Sequence, residues 1–298
     1  MALTGYLAPE GFEAQLETEL GDAVAARHGR LFLCPEEPRA AAWAANVWFD
    51  VEELPIASIG DAARQLRARG RNWALLPLEH HRRAALIVER LPSVSFKPLA
   101  FPAAPPSAPL GSWALLSPER MLAAARCSSA FAHGEVRFVE DRTGPPNRAY
   151  LKLWEALTIA GVRPSPGDLC LDLGASPGGW TWVLASLGAR VIAVDKAPLD
   201  LKVAAMPGVE TRQASAFALD PATLAPIDWL VCDVVCYPKR LLGLIRKWLE
   251  AGRARRIVAT LKFQGETDFA TIEEFRAIPG GTLRHLHHNR HELTFFKL

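Results

Sequence analysis

The chain is 298 residues long, half of them hydrophobic and 22% charged, enough apolar content for a buried core and enough length for two domains. Its 34 basic and 32 acidic residues leave a formal net charge of +2, which excludes a uniformly basic or acidic surface. No apolar run approaches the roughly 20 residues of a membrane-spanning helix, and acids stand at the N-terminus where a signal peptide carries basic residues, so the expected location is the cytoplasm.

Charge is segregated along the chain. Residues 1–57 hold ten acids against three arginines. Strands are predicted over LTGYLA (3–8), RLFLC (30–34) and ANVWFDVEEL (45–54), helices over 11–27 and 59–69, and a further strand over AALIVERL (84–91). Together these make a small α+β domain spanning 1–95. Arginines dominate 58–100, and Arg64, Arg67 and Arg71 share one helical face that suits phosphates, although a solvated face is the plainer reading.

The stretch FKPLAFPAAPPSAPLG (96–111) is rich in proline and has neither helical nor strand period, so it reads as an extended linker. Beyond it, SWALL (112–116) and EVRFV (135–139) read as short strands around a helix starting near Ser117. There SPER offers an N-cap serine, a proline at the first helical position and an acid in the first turn. This segment, to about residue 146, is expected to extend a second domain spanning 112–298.

From Asn147 onward helices alternate with apolar runs. NRAYLKLWEALTIAG and GGWTWVLASLG are predicted helices, as are 239–250 and 267–276. DLCLDLG, RVIAVD, VETRQA, IDWLVCD, RIVATLKF, TLRHLHH and ELTFFKL are predicted strands. Such alternation implies an α/β fold with a doubly wound, mostly parallel sheet, whose ligands bind beyond the carboxyl ends of the strands. The site is therefore expected at Asp172–Gly179, Asp195, Asp233 and Lys262.

The turn between the first two of these strands reads Gly174-Ala175-Ser176-Pro177-Gly178-Gly179. It departs from the GxGxxG dinucleotide pattern, and Pro177 removes an amide donor that a pyrophosphate cradle uses. It also lacks the Gly-Lys-Ser/Thr of a P-loop. What remains is close backbone approach to a ligand, with Asp172 facing a cationic group and Asp195 accepting ribose hydroxyls. S-adenosyl-L-methionine has that chemistry: an ammonium, a sulfonium, a ribose and no phosphate. Trp180 and Trp182 follow the turn closely enough to approach a ligand, although core packing is the plainer reading for both.

Five cysteines form no CxxC pair and read as reduced thiols; Cys232 and Cys236 are too few for a closed zinc site. The histidines of HLHHNRHE fit an edge strand or an RNA-facing surface. No metal is expected.

DLGASPGGWT, VDKAPLD, WLVCDVV, LKF and NRHELTFF, with RAYLKLWEAL upstream, resemble the FtsJ-type ribose 2′-O-methyltransferases, over about residues 140–298. The resemblance implies a Rossmann-like S-adenosylmethionine methyltransferase domain and an enzyme that methylates RNA. Its closest branch acts on a cytidine of 23S ribosomal RNA, which implies that RNA, or a precursor large-subunit particle, as partner, with no DNA and no membrane. It also implies a catalytic tetrad of Lys152, Asp233, Lys262 and Glu292. The cofactor contacts it implies are Asp172, Gly174, Ser176, Pro177, Gly178, Gly179, Trp180, Asp195, Ser215 and Asp233. Ser215 stands where relatives often carry an acid, and the region between residues 60 and 140 is short for the RNA-capturing domain that resembling proteins carry. Two other functions fit parts of the pattern: an RNA-binding or assembly factor with a non-catalytic methyltransferase fold, and a nicotinamide-dependent oxidoreductase. The intact tetrad argues against the first and the absent GxGxxG against the second.

Overall fold

The computed structural model describes residues 2–298, which divide into two compact units, 2–99 with 105–137 and 100–104 with 138–298. Among the described residues no helix is long and apolar enough to cross a membrane.

The first unit contains β1 (Thr4–Leu7), α1 (Glu13–Leu20), β2 (Ala26–His28), β3 (Leu31–Cys34), β4 (Asn46–Phe49) and β5 (Glu52–Pro55). It continues through α2 (Ile59–Arg69), β6 (Trp73–Leu75), α3 (His81–Val88), β7 (Gly111–Ser117), β8 (Arg120–Ala124) and β9 (Arg126–Cys127). These strands form two sheets, β2-β3-β1-β4-β9 and β5-β8-β7-β6. Side-chain alternation on β7 and β8 serves both faces. Trp113, Leu115, Met121 and Ala123 pack with Leu66 of α2 and Ile87 of α3, while Ala114, Leu122 and Ala124 pack with Leu7, Leu33 and Trp48 of the other sheet.

Several expectations for this half are corrected. The predicted helix 11–27 ends at Leu20, where Gly21 takes a positive φ of 59°, and Ala26–His28 joins the sheet instead. ANVWFDVEEL is two strands, because Asp50 turns the chain at a φ of 52° and β4 and β5 enter different sheets. AALIVERL is helical, since Ala84 and Ile87, three apart on one face, bury against α2. SPER opens no helix: Ser117 pairs with Arg120 across a tight hairpin, and the apolar residues on both sides complete a buried sheet. EVRFV forms no strand beyond an isolated bridge at Phe138.

That hairpin also moves the domain boundary. β8 pairs with β5 and β7 with β6, so 105–137 belongs to the first unit rather than extending the second. Within the proline-rich stretch, residues 100–104 belong to the second unit, where the Phe101 ring stacks on Trp154 with centroids 4.8 Å apart.

The second unit runs α4 (Tyr150–Ala160), β10 (Leu169–Leu173), α5 (Gly179–Ser186), β11 (Arg190–Asp195), α6 (Leu201–Ala204) and β12 (Val209–Gln213). β13 (Ile227–Cys232), α7 (Pro238–Glu250), β14 (Ala254–Lys262), α8 (Phe269–Arg276), β15 (Gly281–Arg284) and β16 (Glu292–Lys297) complete it. The sheet order is β12-β11-β10-β13-β14-β16-β15. The first five strands are parallel, and β16 inserts antiparallel between β14 and β15. This is the expected doubly wound architecture.

The central strands are apolar on both faces because helices cover both. α7 shows how: Pro238 opens it, and Leu241, Leu242, Leu244, Ile245 and Trp248 are buried, each aliphatic contributing about 1.5–3 kcal/mol relative to exposure. Strand order reverses at β10, and the crevice between the carboxyl ends of β10 and β13 is the switch point where such sheets take ligands. TLRHLHH is a strand only as far as Arg284; His285–His291 form the turn into β16.

Candidate active site

At that switch point lies a cavity of about 420 Å³, within the size range of small-molecule sites. It is lined by Asn147 and Ala149, by the turn residues Gly174, Ala175, Ser176, Gly179 and Trp180, and by Asp195, Asp233, Val234, Val235 and Lys262.

Local sequence explains how these segments come so close. Gly174 has a φ of +79°, and a Cβ there would lie 2.8 Å from the Val234 Cα, so only glycine lets the turns after β10 and β13 touch. A Cβ on Gly179 would lie 2.2 Å from Asn147 Oδ1. Trp180 donates its indole N–H to the Ala149 carbonyl at 2.9 Å, tying the segment before α4 to the start of α5. Asp195 is held by two backbone donors: Ser176 N–H to Oδ2 at 3.0 Å and Ala197 N–H to Oδ1 at 2.9 Å. Each oxygen keeps acceptor capacity for a ligand hydroxyl.

Four charged side chains meet beside the cavity. Lys262 ends β14 and lies directly across the ladder from Glu292, the first residue of β16. Lys262 Nζ donates to the Asp233 carbonyl oxygen at 2.5 Å and lies 2.9 Å from Asp233 Oδ1. That second contact is ionic without hydrogen-bond alignment, so Oδ1 retains a free lone pair. Lys152, in the first turn of α4, reaches Glu292 Oε1 at 2.5 Å and Asp233 Oδ1 at 3.7 Å. All four side chains are largely withdrawn from water, where unpaired charge is costly. Two carboxylates neighbour Lys152 and one neighbours Lys262, and of the two lysines Lys262 is the one that lines the cavity.

A fifth charged side chain, the carboxylate of Glu155, positions this group. Glu155, three residues after Lys152 on the same helix, is fully buried. Its Oε1 accepts His287 N–H at 2.7 Å, and its Oε2 accepts His288 N–H at 2.9 Å with His288 Nδ1 at 2.7 Å. The turn that delivers Glu292 is thereby bolted to the helix that delivers Lys152.

Among the sequence-derived candidates, Gly174, Ser176, Gly179, Trp180, Asp195, Asp233 and Lys262 line the cavity, Lys152 stands against Asp233, and Glu292 against Lys152. Four candidates lie elsewhere. Pro177 and Gly178 belong to the turn but not to the cavity wall; a Cβ on Gly178 would meet Val203 at 2.9 Å, so that glycine serves packing against α6. Ser215 follows β12, away from the lining. Asp172 does not face a ligand cation: it is fully buried, with Oδ2 accepting the Thr181 hydroxyl at 2.6 Å and Oδ1 without a hydrogen-bond partner. Burial pushes its pKa up to about 7. Asn147, Val234, Val235 and Glu155 escaped sequence reasoning. Asn147 had a visible signal, an Asn ahead of a helix, and its Oδ1 accepts the Ala149 N–H.

Comparisons with known proteins place the same half of the chain. Residues 145–258 match the family described as FtsJ-like methyltransferase, so the second unit carries an FtsJ-like methyltransferase domain. A protein named Ribosomal RNA large subunit methyltransferase M from Halorhodospira halophila is 40% identical over 159 residues, 51% of this chain and 46% of that protein. Its namesake from Thauera aminoaromatica is 36% identical over 167 residues, 51% of this chain and 45% of that protein. The chain thus spans about half the length of the curated relatives it matches. The crystal structure of TrmN from Thermus thermophilus overlaps it with a TM-score of 0.39 and 15% identity, covering 100% of each chain, a likeness too slight to bear on function.

Proposed function

We propose that this protein is an S-adenosylmethionine-dependent methyltransferase acting in the cytoplasm on a ribose 2′-hydroxyl of RNA, with a cytidine of 23S ribosomal RNA, or of a precursor large-subunit particle, as its target. The observation that carries this reading is the meeting of Lys152, Asp233, Lys262 and Glu292 from four separate segments beside a cavity walled by Asp195 and the Gly174–Gly179 turn. The names of the relatives support an RNA of the large ribosomal subunit as substrate.

The residues present fit the cofactor. Asp195, fixed by two backbone amides, offers acceptors for a ribose diol, and the glycine turn leaves room for close backbone approach. S-adenosylmethionine bound there supplies an electrophilic methyl group. A ribose hydroxyl is a poor nucleophile, so the protein removes its proton as the oxygen attacks. Lys262, the lysine at the cavity wall, is the group placed to accept that proton. Lys152, gripped by Glu292 and Asp233, stands on the far side of Asp233 from the cavity-lining lysine. Asp233 anchors Lys262 through its backbone oxygen, and Glu292 holds Lys152 in place. Holding the reacting atoms in line beside side chains largely withdrawn from water supplies much of the remaining acceleration.

The test is a product analysis. Incubating the protein with methyl-labelled S-adenosylmethionine and unmodified 23S ribosomal RNA, as transcript and as precursor particle, then digesting to nucleosides, should yield a 2′-O-methylated nucleoside. A base-methylated nucleoside as the product would contradict the reading.

A further inference from the structure

The recess containing Asp233 and Lys262 opens beside two side chains that the tetrad does not use. Val235 and Tyr237, in the loop joining β13 to α7, are 73% and 65% exposed, although both are large and apolar, and Val235 also lines the cavity. The loop that carries them is pinned. Cys236 between them is buried, Pro238 opens α7, and the Tyr237 carbonyl accepts the N–H groups of Arg240 at 3.0 Å and Leu241 at 3.2 Å. A loop held on both sides thus presents an aromatic ring to solvent two residues along the chain from the cavity-lining Val235, a preorganised arrangement.

The chemistry says what such a ring would meet. Lys262 and Asp233 are 18% and 14% exposed at their side chains, so a ribose hydroxyl reaches Lys262 Nζ only if its nucleotide enters the recess. A nucleotide that does so leaves its stack and loses the contacts of its base faces. Aromatic side chains replace those contacts for unstacked RNA bases, and do so for any base, since each has a π-face.

We infer that Tyr237, flanked by Val235, is the platform on which the base of the target nucleotide stacks, so that the substrate is a nucleotide presented unpaired, in a loop, a bulge or a strand end. The platform rests on the ribose-methylation reading. It selects the unpaired state and leaves base identity to other contacts.

The test compares wild type with Tyr237→Ala, Tyr237→Leu and Tyr237→Phe, measuring steady-state methyl transfer to unmodified 23S ribosomal RNA and, separately, calorimetric binding of S-adenosylhomocysteine. Tyr237→Ala should raise the KM for RNA by about tenfold or more at unchanged S-adenosylhomocysteine affinity, which also shows that the variant is folded. Tyr237→Phe should rescue the KM because it keeps the ring, and Tyr237→Leu should not. Methyl transfer by the wild type with an unchanged KM in Tyr237→Ala, or full rescue by leucine, would overturn the platform alone. No methyl transfer to RNA by the wild type would overturn the platform together with the reading beneath it.

Discussion

At the scale of single residues, Asp172 shows how one position along a strand changes a role. DLCLDLG places an acid near the end of an apolar run, where it reads as a ligand contact, yet β10 continues to Leu173, and side-chain alternation turns Asp172 to the face beneath α5, where Thr181 meets it. Burial raises its pKa to about 7, the Thr181 hydrogen bond opposes the rise, and the carboxylates of Asp233 and Asp195 add to it. The ordinary value is 3.8. Between these two values the folded chain holds a proton that the unfolded chain has released, so this residue lowers stability as pH rises from about 4 to about 7 and adds no further pH dependence above that. Asp172→Asn keeps an acceptor for Thr181 and removes the titration. Its melting temperature should therefore fall less than that of the wild type across that range; parallel pH profiles would show that Asp172 is not the group responsible.

At the scale of elements, Glu155 joins α4 to the turn before β16, and with it two members of the tetrad. Glu155→Ala would leave three donors of the exposed His287 and half-buried His288 without their acceptor, at a cost on the order of 1–3 kcal/mol for whichever of them stays buried, and would free Glu292 from its register with Lys152. A lowered melting temperature and a reduced kcat are expected for Glu155→Ala, with S-adenosylhomocysteine affinity preserved, and partial recovery of kcat in Glu155→Gln. An unchanged kcat in Glu155→Ala would remove Glu155 from the positioning of the site. None of this was legible in NRAYLKLWEALTIAG, because the partners of Glu155 lie more than 130 residues away. The central parallel strands β10, β11 and β13 were legible, being mostly apolar runs bounded by turn residues. The β7–β8 hairpin was not: Ser-Pro-Glu-Arg satisfies the local rules for a helix start, and only pairing with β5 and β6 decides for a strand. The isoleucine and valine of α3 misled in the same way, their β-propensity being overridden by the burial of Ala84 and Ile87 on the helical face toward α2.

At the scale of the whole molecule, Lys152, Asp233, Lys262 and Glu292 belong to a helix, a loop and two antiparallel strands, and no local segment contains more than one of them. The insertion of β16 beside β14 brings Glu292 opposite Lys262, and the switch point at β10 sets the cavity beside them. That convergence is the central claim, and single-turnover methyl transfer to RNA by wild type, Lys262→Ala and Lys262→Arg tests it most directly. Arginine keeps the charge but does not give up its proton at accessible pH, so it separates proton removal from charge stabilisation. Both variants should lose about 10²–10⁴-fold in rate, the usual contribution of a positioned base, while binding S-adenosylhomocysteine as the wild type does. Substantial transfer by Lys262→Arg would contradict the assignment of Lys262 as the base.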